Sequence, residues 1–86
     1  MCAMDKIAAC EIAFTPIVSA NYLADVDKVL EVIKASGLEY KVGELTTFVR
    51  GANGKIFQLV QEIYKTMDGE TQFSMDIKIS NICGCD

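Results

Sequence analysis

The sequence predicts an α+β fold in which two helices cover one face of a four-stranded antiparallel sheet. Three features of the sequence predict it. The first and last long segments alternate apolar with polar residues, which is the period of a strand with two different faces. Two other segments repeat apolar residues at every third or fourth position, as an amphipathic helix does. Between these helices lies a glycine-containing stretch of β-branched residues that is typical of a hairpin.

The first strand is predicted over residues 6–18. In it, Ala8, Cys10, Ile12 and Phe14 alternate with Ala9, Glu11, Ala13 and Thr15. The first set is apolar and the second is small or polar, so we expect one face of the strand to be buried. Pro16 either ends the strand or marks an irregularity, because proline cannot donate a hydrogen bond to the ladder.

The first helix is predicted in the stretch SANYLADVDKVLEVIKASG. Its apolar stripe consists of Leu23, Val26, Val29, Leu30 and Ile33. We expect Ser19 or Asn21 to cap the start of the helix, since either side chain can accept a bond from a free backbone N–H. Gly37 suits the left-handed conformation that ends many helices.

The second half of the chain supplies the remaining strands and a second helix. The stretch LEYKVGELTTFVRG predicts two short strands around Gly43, or one bent hairpin. A second helix is predicted over residues 55–67, and the pair Asp68-Gly69 stops it. Its apolar stripe is Ile56, Val60, Ile63, Tyr64 and Met67. In the last strand, Phe73, Met75, Ile77 and Ile79 alternate with Ser74, Asp76, Lys78 and Ser80.

The element order β-α-β-β-α-β is that of the ferredoxin-like split βαβ fold. Right-handed crossovers place both helices on one face of the sheet, and we expect residues 1–86 to form a single domain. A domain this small buries only ~60% of its unfolded surface and is marginal alone, which favours association with another copy.

The face of the sheet without helices is the candidate functional surface. If the helices lie on the Phe73 side, this open face presents Ala9, Glu11, Ala13, Thr15, Ser74, Asp76, Lys78 and Ser80. The third strand adds either Thr46 with Phe48 or Thr47 with Val49. The sequence leaves that register open, because both sets mix polar with apolar residues.

Two interpretations of the open face compete. A polar face of an antiparallel sheet is commonly no more than a solvated surface. The functional interpretation is a shallow platform that pairs with another subunit and holds a small molecule in between. On this hypothesis Glu11 and Asp76 neutralise a cation, and the hydroxyls of Thr46, Thr47 and Ser74 orient it.

The composition argues against several function classes. Twelve acidic residues against eight basic ones give a net charge of -4, and no basic stripe is present, so nucleic acid is not an expected partner. The chain has no histidine, which removes the usual general base and the commonest metal ligand. No apolar run approaches the ~20 residues that a membrane span needs. The first residues lack the pattern of a secretory signal, so we expect a cytoplasmic protein.

The stretch TTFVRGANGKIF, residues 46–57, raises the question of a phosphate-binding loop. Gly51 and Gly54 are three residues apart, and Ile56 follows Lys55 where a P-loop requires serine or threonine. We therefore interpret this stretch as the end of a strand followed by a helix that Asn53 caps.

Four cysteines add a separate hypothesis. Cys10 lies on the apolar face of the first strand and is expected to be a buried small hydrophobe. Cys83 and Cys85 form a C-x-C pair that Cys2 can approach in this fold, but structural zinc sites usually use C-x₂₋₄-C pairs. A terminal segment with reactive thiols is the simpler interpretation, and no metal site is expected.

With these elements in place, the sequence resembles the YkoF-like family of thiamine- and hydroxymethylpyrimidine-binding proteins. Four stretches carry the resemblance: CEIAFTPI, GLEYKVGELTTFVRG, FQLVQEIYK and MDIKISNIC. The resemblance implies a ferredoxin-like fold, association through the sheets, and binding of thiamine or its pyrimidine moiety between subunits in salvage or transport of the vitamin. It also implies a dimer or tetramer that supplies the second half of the site. The position of Ala13 is a ligand contact on this resemblance, but some members of the family carry a serine there, and this chain lacks that polar group.

The expected ligand set is therefore Glu11, Ala13, Thr46, Thr47, Ser74 and Asp76. We expect neither an enzyme nor a cofactor beyond the bound vitamin. Paired carboxylates can act as acid and base when burial separates their pKa values, but the chain shows no activated nucleophile. Two alternatives remain: a sheet-mediated regulatory module that senses another small molecule, and a thiol or metal binder that uses Cys83 and Cys85.

Overall fold

The computed structural model describes residues 7–18 and 21–81. Its elements in chain order are β1 (Ile7–Val18), α1 (Tyr22–Ala35), β2 (Glu39–Val42), β3 (Thr47–Ala52), α2 (Asn53–Asp68) and β4 (Gln72–Ser80). The four strands form one antiparallel sheet in the order β2-β3-β1-β4. This confirms the predicted ferredoxin-like α+β fold. Cys2, Ser19, Cys83 and Cys85 lie outside the described residues.

The central strand β1 pairs with β3 on one side and with β4 on the other. Its pairing with β4 shifts register between Pro16 and Val18. Proline has no N–H to give to the ladder, so an irregularity is the expected response of the sheet. Pro16 therefore interrupts the ladder without ending the strand, which is the second of the two alternatives that the sequence left open.

Helix α1 begins and ends as the sequence predicts. The Asn21 side chain accepts a bond from the Ala24 backbone N–H over 3.2 Å, which satisfies one of the free donors in the first turn. Gly37 has a φ of 77°, the left-handed conformation that glycine adopts without steric cost. Asn21 is thus the cap, whereas Ser19 lies outside the described residues.

Helix α2 begins two residues earlier than predicted, and the prediction that Asn53 caps it is wrong. Asn53 is the first helical residue, and the cap position belongs to Ala52, whose side chain makes no capping hydrogen bond. The strand β3 runs directly into the helix at this point, so tertiary packing sets the boundary in place of a side-chain cap. The end of α2 at Asp68 and Gly69 is confirmed.

The hydrophobic core lies between the sheet and the two helices. Its buried residues are Ala8, Cys10, Ile12, Val29, Ile33, Val49, Ile56, Leu59, Ile63 and Met67. Partly buried side chains of β4 and of α1 complete it. No residue of this core in the described part of the chain is polar or charged, so its cohesion comes from apolar burial and close packing.

Three positions in the helical stripes differ from the prediction. Leu23 is 73% exposed, because α1 is buried only from Val29 onwards. Tyr64 is 55% exposed, although its ring packs edge-on against Phe73 at 5.6 Å between ring centres. Leu59, which was not predicted as part of the stripe, is buried. A periodic pattern defines the apolar side of a helix but not how far the neighbouring layer extends beneath it.

The register of β3 settles which residues face the helices. Val49 lies opposite Cys10, and Thr47 lies opposite Ile12. Residues directly opposite each other in an antiparallel pair point to the same face, so Thr47 and Val49 face the helices while Phe48 and Arg50 face away. On β4, Phe73, Met75, Ile77 and Ile79 pair with helix-facing residues of β1, as the alternation predicts.

None of the helices in the described residues is long and apolar enough to cross a membrane.

We expect Ile63→Ala to lower the free energy of unfolding by about 2–5 kcal/mol, because Ile63 is fully buried and truncation leaves a cavity. The neighbouring Glu62→Ala is the control; its side chain is exposed, so the change should stay within about 0.5 kcal/mol. Urea unfolding followed by circular dichroism measures both. Equal losses in the two variants would contradict this assignment of the core.

Candidate functional site

The open face of the sheet has a defined arrangement of side chains. Its central rows are Glu39, Arg50, Ala9 and Ser80 in one line, Lys41, Phe48, Glu11 and Lys78 in the next, and Ala13 with Asp76 in the third. Thr15 lies opposite Ser74 at one end. The helices lie on the other side of the sheet, so this face is uncovered within the described residues.

The charges of the open face are balanced and alternate between strands. Glu11 lies directly opposite Lys78, and Glu39 lies opposite Arg50. Oppositely charged residues in such cross-strand positions attract each other. A cationic ligand at Glu11 would therefore compete with Lys78 of the same chain. Asp76 lies opposite the small Ala13, which leaves its carboxylate more room for an outside partner.

A concave site lies on the opposite side of the sheet, between α1 and the β2–β3 hairpin. We call it the hairpin cleft. Its volume is about 240 Å³. Its lining comes from β1, α1 and the hairpin: Ile12, Phe14, Tyr22, Val26, Val29, Leu30, Ile33, Val42, Gly43, Glu44, Leu45, Thr46 and Thr47. A mostly apolar wall with a few convergent polar groups is the usual character of a small-molecule site.

The polar groups of the hairpin cleft come from four side chains. Tyr22, Thr46 and Thr47 bring hydroxyls, and Glu44 brings the carboxylate. Hydroxyls can donate and accept, whereas an ionised carboxylate only accepts. Glu44 is exposed, while Thr46 and Thr47 are half-buried, so the carboxylate lies nearer to solvent than the two threonines.

The Phe14 ring, which lines the cleft, is supported by a chain of two further aromatic rings outside it. The ring of Phe14 packs on Phe73 with 5.0 Å between ring centres and 32° between planes. Tyr64 in turn contacts Phe73 edge-on. Offset and edge-on aromatic pairs stabilise one another beyond their buried area. The chain of three rings therefore fixes Phe14 in place at the cleft.

The predicted ligand set divides between these two surfaces. Glu11, Ala13, Ser74 and Asp76 come together on the open face. Thr47 faces the helices, and both Thr46 and Thr47 line the hairpin cleft. Three lining residues of the cleft, Phe14, Tyr22 and Glu44, were not predicted as ligand residues from the sequence. Phe14 was predicted from its place in the apolar alternation of the first strand, and only the fold brings Tyr22 of α1 and Glu44 of the hairpin to the same cleft.

A larger depression of about 610 Å³ lies between the outer surfaces of α1 and α2. Its lining includes the long polar side chains of Lys55, Gln58, Gln61, Glu62 and Lys65. These side chains belong to an exposed helix surface and offer no aromatic wall. We therefore interpret this depression as a solvated helix surface and not as a site for a ring-shaped ligand.

Cys10 is a free, buried thiol, as predicted. Burial, and secondarily the Glu11 carboxylate, raise the pKa of this thiol above its ordinary value of 9.0. The thiolate is the nucleophile and the metal ligand, so this environment disfavours either role for Cys10. No group of three or more possible metal ligands occurs among residues 7–18 and 21–81. The hypothesis on Cys2, Cys83 and Cys85 concerns residues outside these ranges.

The chain is a small ferredoxin-like domain with a cleft between α1 and the β2–β3 hairpin. A model of the thiamine-binding protein family matches residues 10–83, which is most of the 86-residue chain. The chain therefore belongs to the thiamine-binding protein family, and the family resemblance predicted from the sequence is confirmed.

Known structures share the fold at low sequence identity. A Thermotoga maritima protein named for thiamine biosynthesis or salvage is 24% identical, with a TM-score of 0.79 over 86% of this chain and 82% of its own. A domain of unknown function from Bacillus cereus is 22% identical, with a TM-score of 0.81 over 95% of this chain and 82% of its own. A Streptococcus pneumoniae protein is 17% identical, with a TM-score of 0.80 over 86% and 84% of the two chains. No curated protein sequence gives a significant match.

Gly43 shapes the wall of the cleft, and its replacement should disturb that wall. A Cβ atom there would lie 2.8 Å from the backbone oxygen of Thr46, the atom that accepts the Gly43 N–H bond over 2.8 Å. We expect Gly43→Ala to cost about 1 kcal/mol, or about 4–8 °C in Tm for a domain of this size.

The matched control is Gly54→Ala in the first turn of α2, where a Cβ meets no atom within 4 Å. Alanine loses less entropy than glycine in a helix, so this variant should keep or raise the Tm. Thermal unfolding by circular dichroism compares the two. An unchanged Tm in Gly43→Ala would show that the hairpin is not held by this contact.

Proposed function

We propose that the chain binds thiamine, or the hydroxymethylpyrimidine moiety of thiamine, without turning it over. The observation that carries this proposal is the match to the thiamine-binding protein family over residues 10–83. The Thermotoga maritima protein with the same fold is named for thiamine biosynthesis or salvage, which is consistent with it. A role in salvage or transport of the vitamin in the cytoplasm follows from the same proposal.

The hairpin cleft is the location that the geometry favours for the ligand. Its volume of about 240 Å³ is below the ~300 Å³ at which sites for whole drug-sized ligands begin. It therefore suits one ring of thiamine better than both. The aminopyrimidine is flat and uncharged, and it needs apolar faces with hydrogen-bonding groups at its edge. The cleft offers Phe14 and Tyr22 as walls and Thr46 and Thr47 as hydroxyl partners.

The other ring of thiamine is a thiazolium cation, and Glu44 gives it a partner. Glu44 lines the cleft from its exposed side, where a charged ring keeps part of its hydration. Burying an unpaired cation would be costly, whereas a cation at the mouth opposite a carboxylate is not. In this pose the neutral ring lies inside and the charged ring lies outside.

We further propose that two copies associate through their open faces, as a dimer or as part of a tetramer. Alternating acids and bases on this face, such as Glu11 beside Lys78, can meet their opposites on a second copy. Small side chains at its centre, Ala9 and Ala13, permit close approach of the two sheets. Association would also add buried surface to a domain that is small for independent stability.

The seam between two such sheets is the alternative location for the ligand. In that arrangement the ligand would be surrounded by Glu11, Ala13, Ser74 and Asp76, which are four of the six ligand residues predicted from the sequence. Asp76 is the stronger candidate for a cation there, because Glu11 already has Lys78 opposite it. The cleft and the seam use different residues, so single substitutions separate them.

Binding without catalysis is supported by the chemistry of the cleft. Glu44 and Tyr22 are its ionisable residues, and the described core holds no buried polar or charged residue. Catalytic acids and bases usually lie buried beside a charged partner, whereas Glu44 and Tyr22 are exposed. A sensor of another small molecule and a thiol or metal binder are the competing functions, and a ligand panel separates them from a thiamine binder.

Calorimetric titration of thiamine tests both function and location. We expect the wild type to bind, and Thr47→Val to weaken the affinity about tenfold, since it removes one hydroxyl without changing the shape. Glu44→Gln should lower the affinity for thiamine but not the affinity for hydroxymethylpyrimidine, because hydroxymethylpyrimidine lacks the thiazolium cation. Glu11→Gln and Asp76→Asn are the controls on the open face and should bind like the wild type. Chromatography after the titration should recover thiamine intact.

Each other outcome has a definite meaning. Loss of affinity in Asp76→Asn with normal binding in Thr47→Val moves the ligand to the seam. Failure of the wild type to bind thiamine and hydroxymethylpyrimidine refutes the function. Stabilisation by zinc alone in a thermal-shift panel would favour the cysteine hypothesis, and conversion of thiamine would make the protein an enzyme.

Association through the open face predicts that Ala13→Arg lowers the sedimenting mass to that of a smaller species. Arginine at the centre of the face holds the two sheets apart and places a charge between them. Asp76 lies opposite this position and can pair with the arginine, so the fold should survive. The control is Thr66→Arg, an exposed position on α2. Equal masses for wild type and Ala13→Arg would exclude the open face as the interface.

A further inference from the structure

The two edges of the sheet differ in length and in chemistry. The outer edge at one side is β2, a strand of four residues. The outer edge at the other side is β4, a strand of nine residues that pairs only with β1 among the described strands. Short edge strands are a common protection against pairing with other chains, whereas a long, regular edge is a template for it. The sheet is therefore protected at β2 but not at β4.

The helix-facing side of β4 is only partly covered. Phe73, Met75 and Ile77 are half-buried, and Ile79 is 39% exposed. On the neighbouring helix α2, Phe57 is 56% exposed. Phe57 lies about two turns before Tyr64 on the same side of α2, and the Tyr64 ring contacts Phe73 of β4, so these residues form an apolar strip along the β4 edge. Contiguous exposed apolar surface commonly marks an interaction site.

We propose that β4 pairs antiparallel with β4 of a second copy, about a two-fold axis at Ile77, to give one continuous eight-stranded sheet. In this register Asp76 lies opposite the partner's Lys78, and Lys78 lies opposite the partner's Asp76. Met75 lies opposite the partner's Ile79, so the apolar strips of both copies join on the helix side. The interface is self-complementary, as a two-fold dimer requires.

The charges on β4 select this register among its neighbours. If one strand shifts by one residue relative to the other, the apolar side chains of one copy lie on the same face as the polar side chains of the partner. The next register in one direction has its axis at Asp76 and puts two aspartates together. The next in the other direction has its axis at Lys78 and puts two lysines together. Like charges directly opposite each other are destabilising, so only the register at Ile77 pairs every charge with its opposite.

The edge interface is separate from the open face and from the hairpin cleft. The open face stays exposed in the eight-stranded sheet, and the cleft is lined by β1, α1 and the hairpin, with no residue of β4. The edge alone gives a dimer, and the edge combined with the open face gives a tetramer. The proposal does not depend on which ligand the protein binds.

A single-cysteine cross-link tests the axis directly. In a chain with Cys2, Cys83 and Cys85 changed to serine, Ile77→Cys should form a covalent dimer on mild oxidation. Residues opposite each other across strands have Cβ atoms about 4.5–5.5 Å apart, near the separation that a disulfide needs. The control is Met75→Cys, which is equally half-buried. In the proposed register, the cysteine at position 75 lies opposite the partner's Ile79. The two cysteines would therefore be four residues, or about 13 Å, apart along the strands and should not cross-link.

Face-to-face association cannot produce this result. Sheets stacked on their open faces lie about 10 Å apart, and Ile77 faces away from the partner in both. Cross-linking of Ile77→Cys therefore reports on the edge alone. A cross-link in Met75→Cys, or none in Ile77→Cys at concentrations where the protein sediments as an oligomer, would overturn the proposal. A protein that sediments as a monomer at every concentration would overturn it as well.

A mixing experiment tests the charges. In the Ile77→Cys background, Asp76→Lys alone places lysines opposite lysines, and Lys78→Asp alone places aspartates opposite aspartates. Each should lose cross-linked dimer about tenfold. An equimolar mixture should recover it as the heterodimer, because every pair is then opposite in sign. A substitution also changes contacts within its own chain, such as the pairing of Lys78 with Glu11. These changes are the same whether a variant is oxidised by itself or in the mixture, so they cannot explain a recovery of dimer in the mixture. Equal yields alone and mixed would refute the register.

Discussion

The rest of the structure depends on one constraint, the alternation of apolar and polar residues along β1. One side of that strand is buried beneath the helices. β1 is central and pairs with both β3 and β4, so its alternation sets the faces of its neighbours. Cys10 and Ile12 are buried while Glu11 between them is exposed. A slip of one residue in either ladder would bury charges and expose the core, which holds both registers in place.

This constraint separates two surfaces with different chemistry. The helix side is apolar and becomes concave where the hairpin and α1 diverge, with the Phe14 ring supported by Phe73. The open side is flat, with Glu11 and Lys78 opposite each other. A concave apolar site desolvates a ring, whereas a flat, charge-balanced surface matches another surface of the same kind. The proposed small-molecule site and the proposed interface between copies therefore lie on opposite sides of the sheet.

The elements and the two faces of β1 and β4 could be predicted from the sequence, because alternation and helical periodicity are local signals. The start of α2 could not, since Asn53 has the chemistry of a cap but packing gives that position to Ala52. Nor could the side of Thr47, because the pattern of β3 fits both faces. The hairpin cleft is lined by Tyr22 of α1 and Glu44 of the hairpin, which are far apart in the sequence, so no local pattern indicates it.

The strand order connects these surfaces to the edge at β4. In the order β2-β3-β1-β4, the hairpin cleft lies toward the β2 end, while the long free edge lies at the other end. The hairpin tip is exposed at Leu45 and is fixed at its base by the bond from Gly43 to Thr46. A copy that pairs at β4 adds buried surface without touching this hairpin. In the proposed edge dimer, the stability gained from assembly would therefore not reduce the access of a ligand to the cleft.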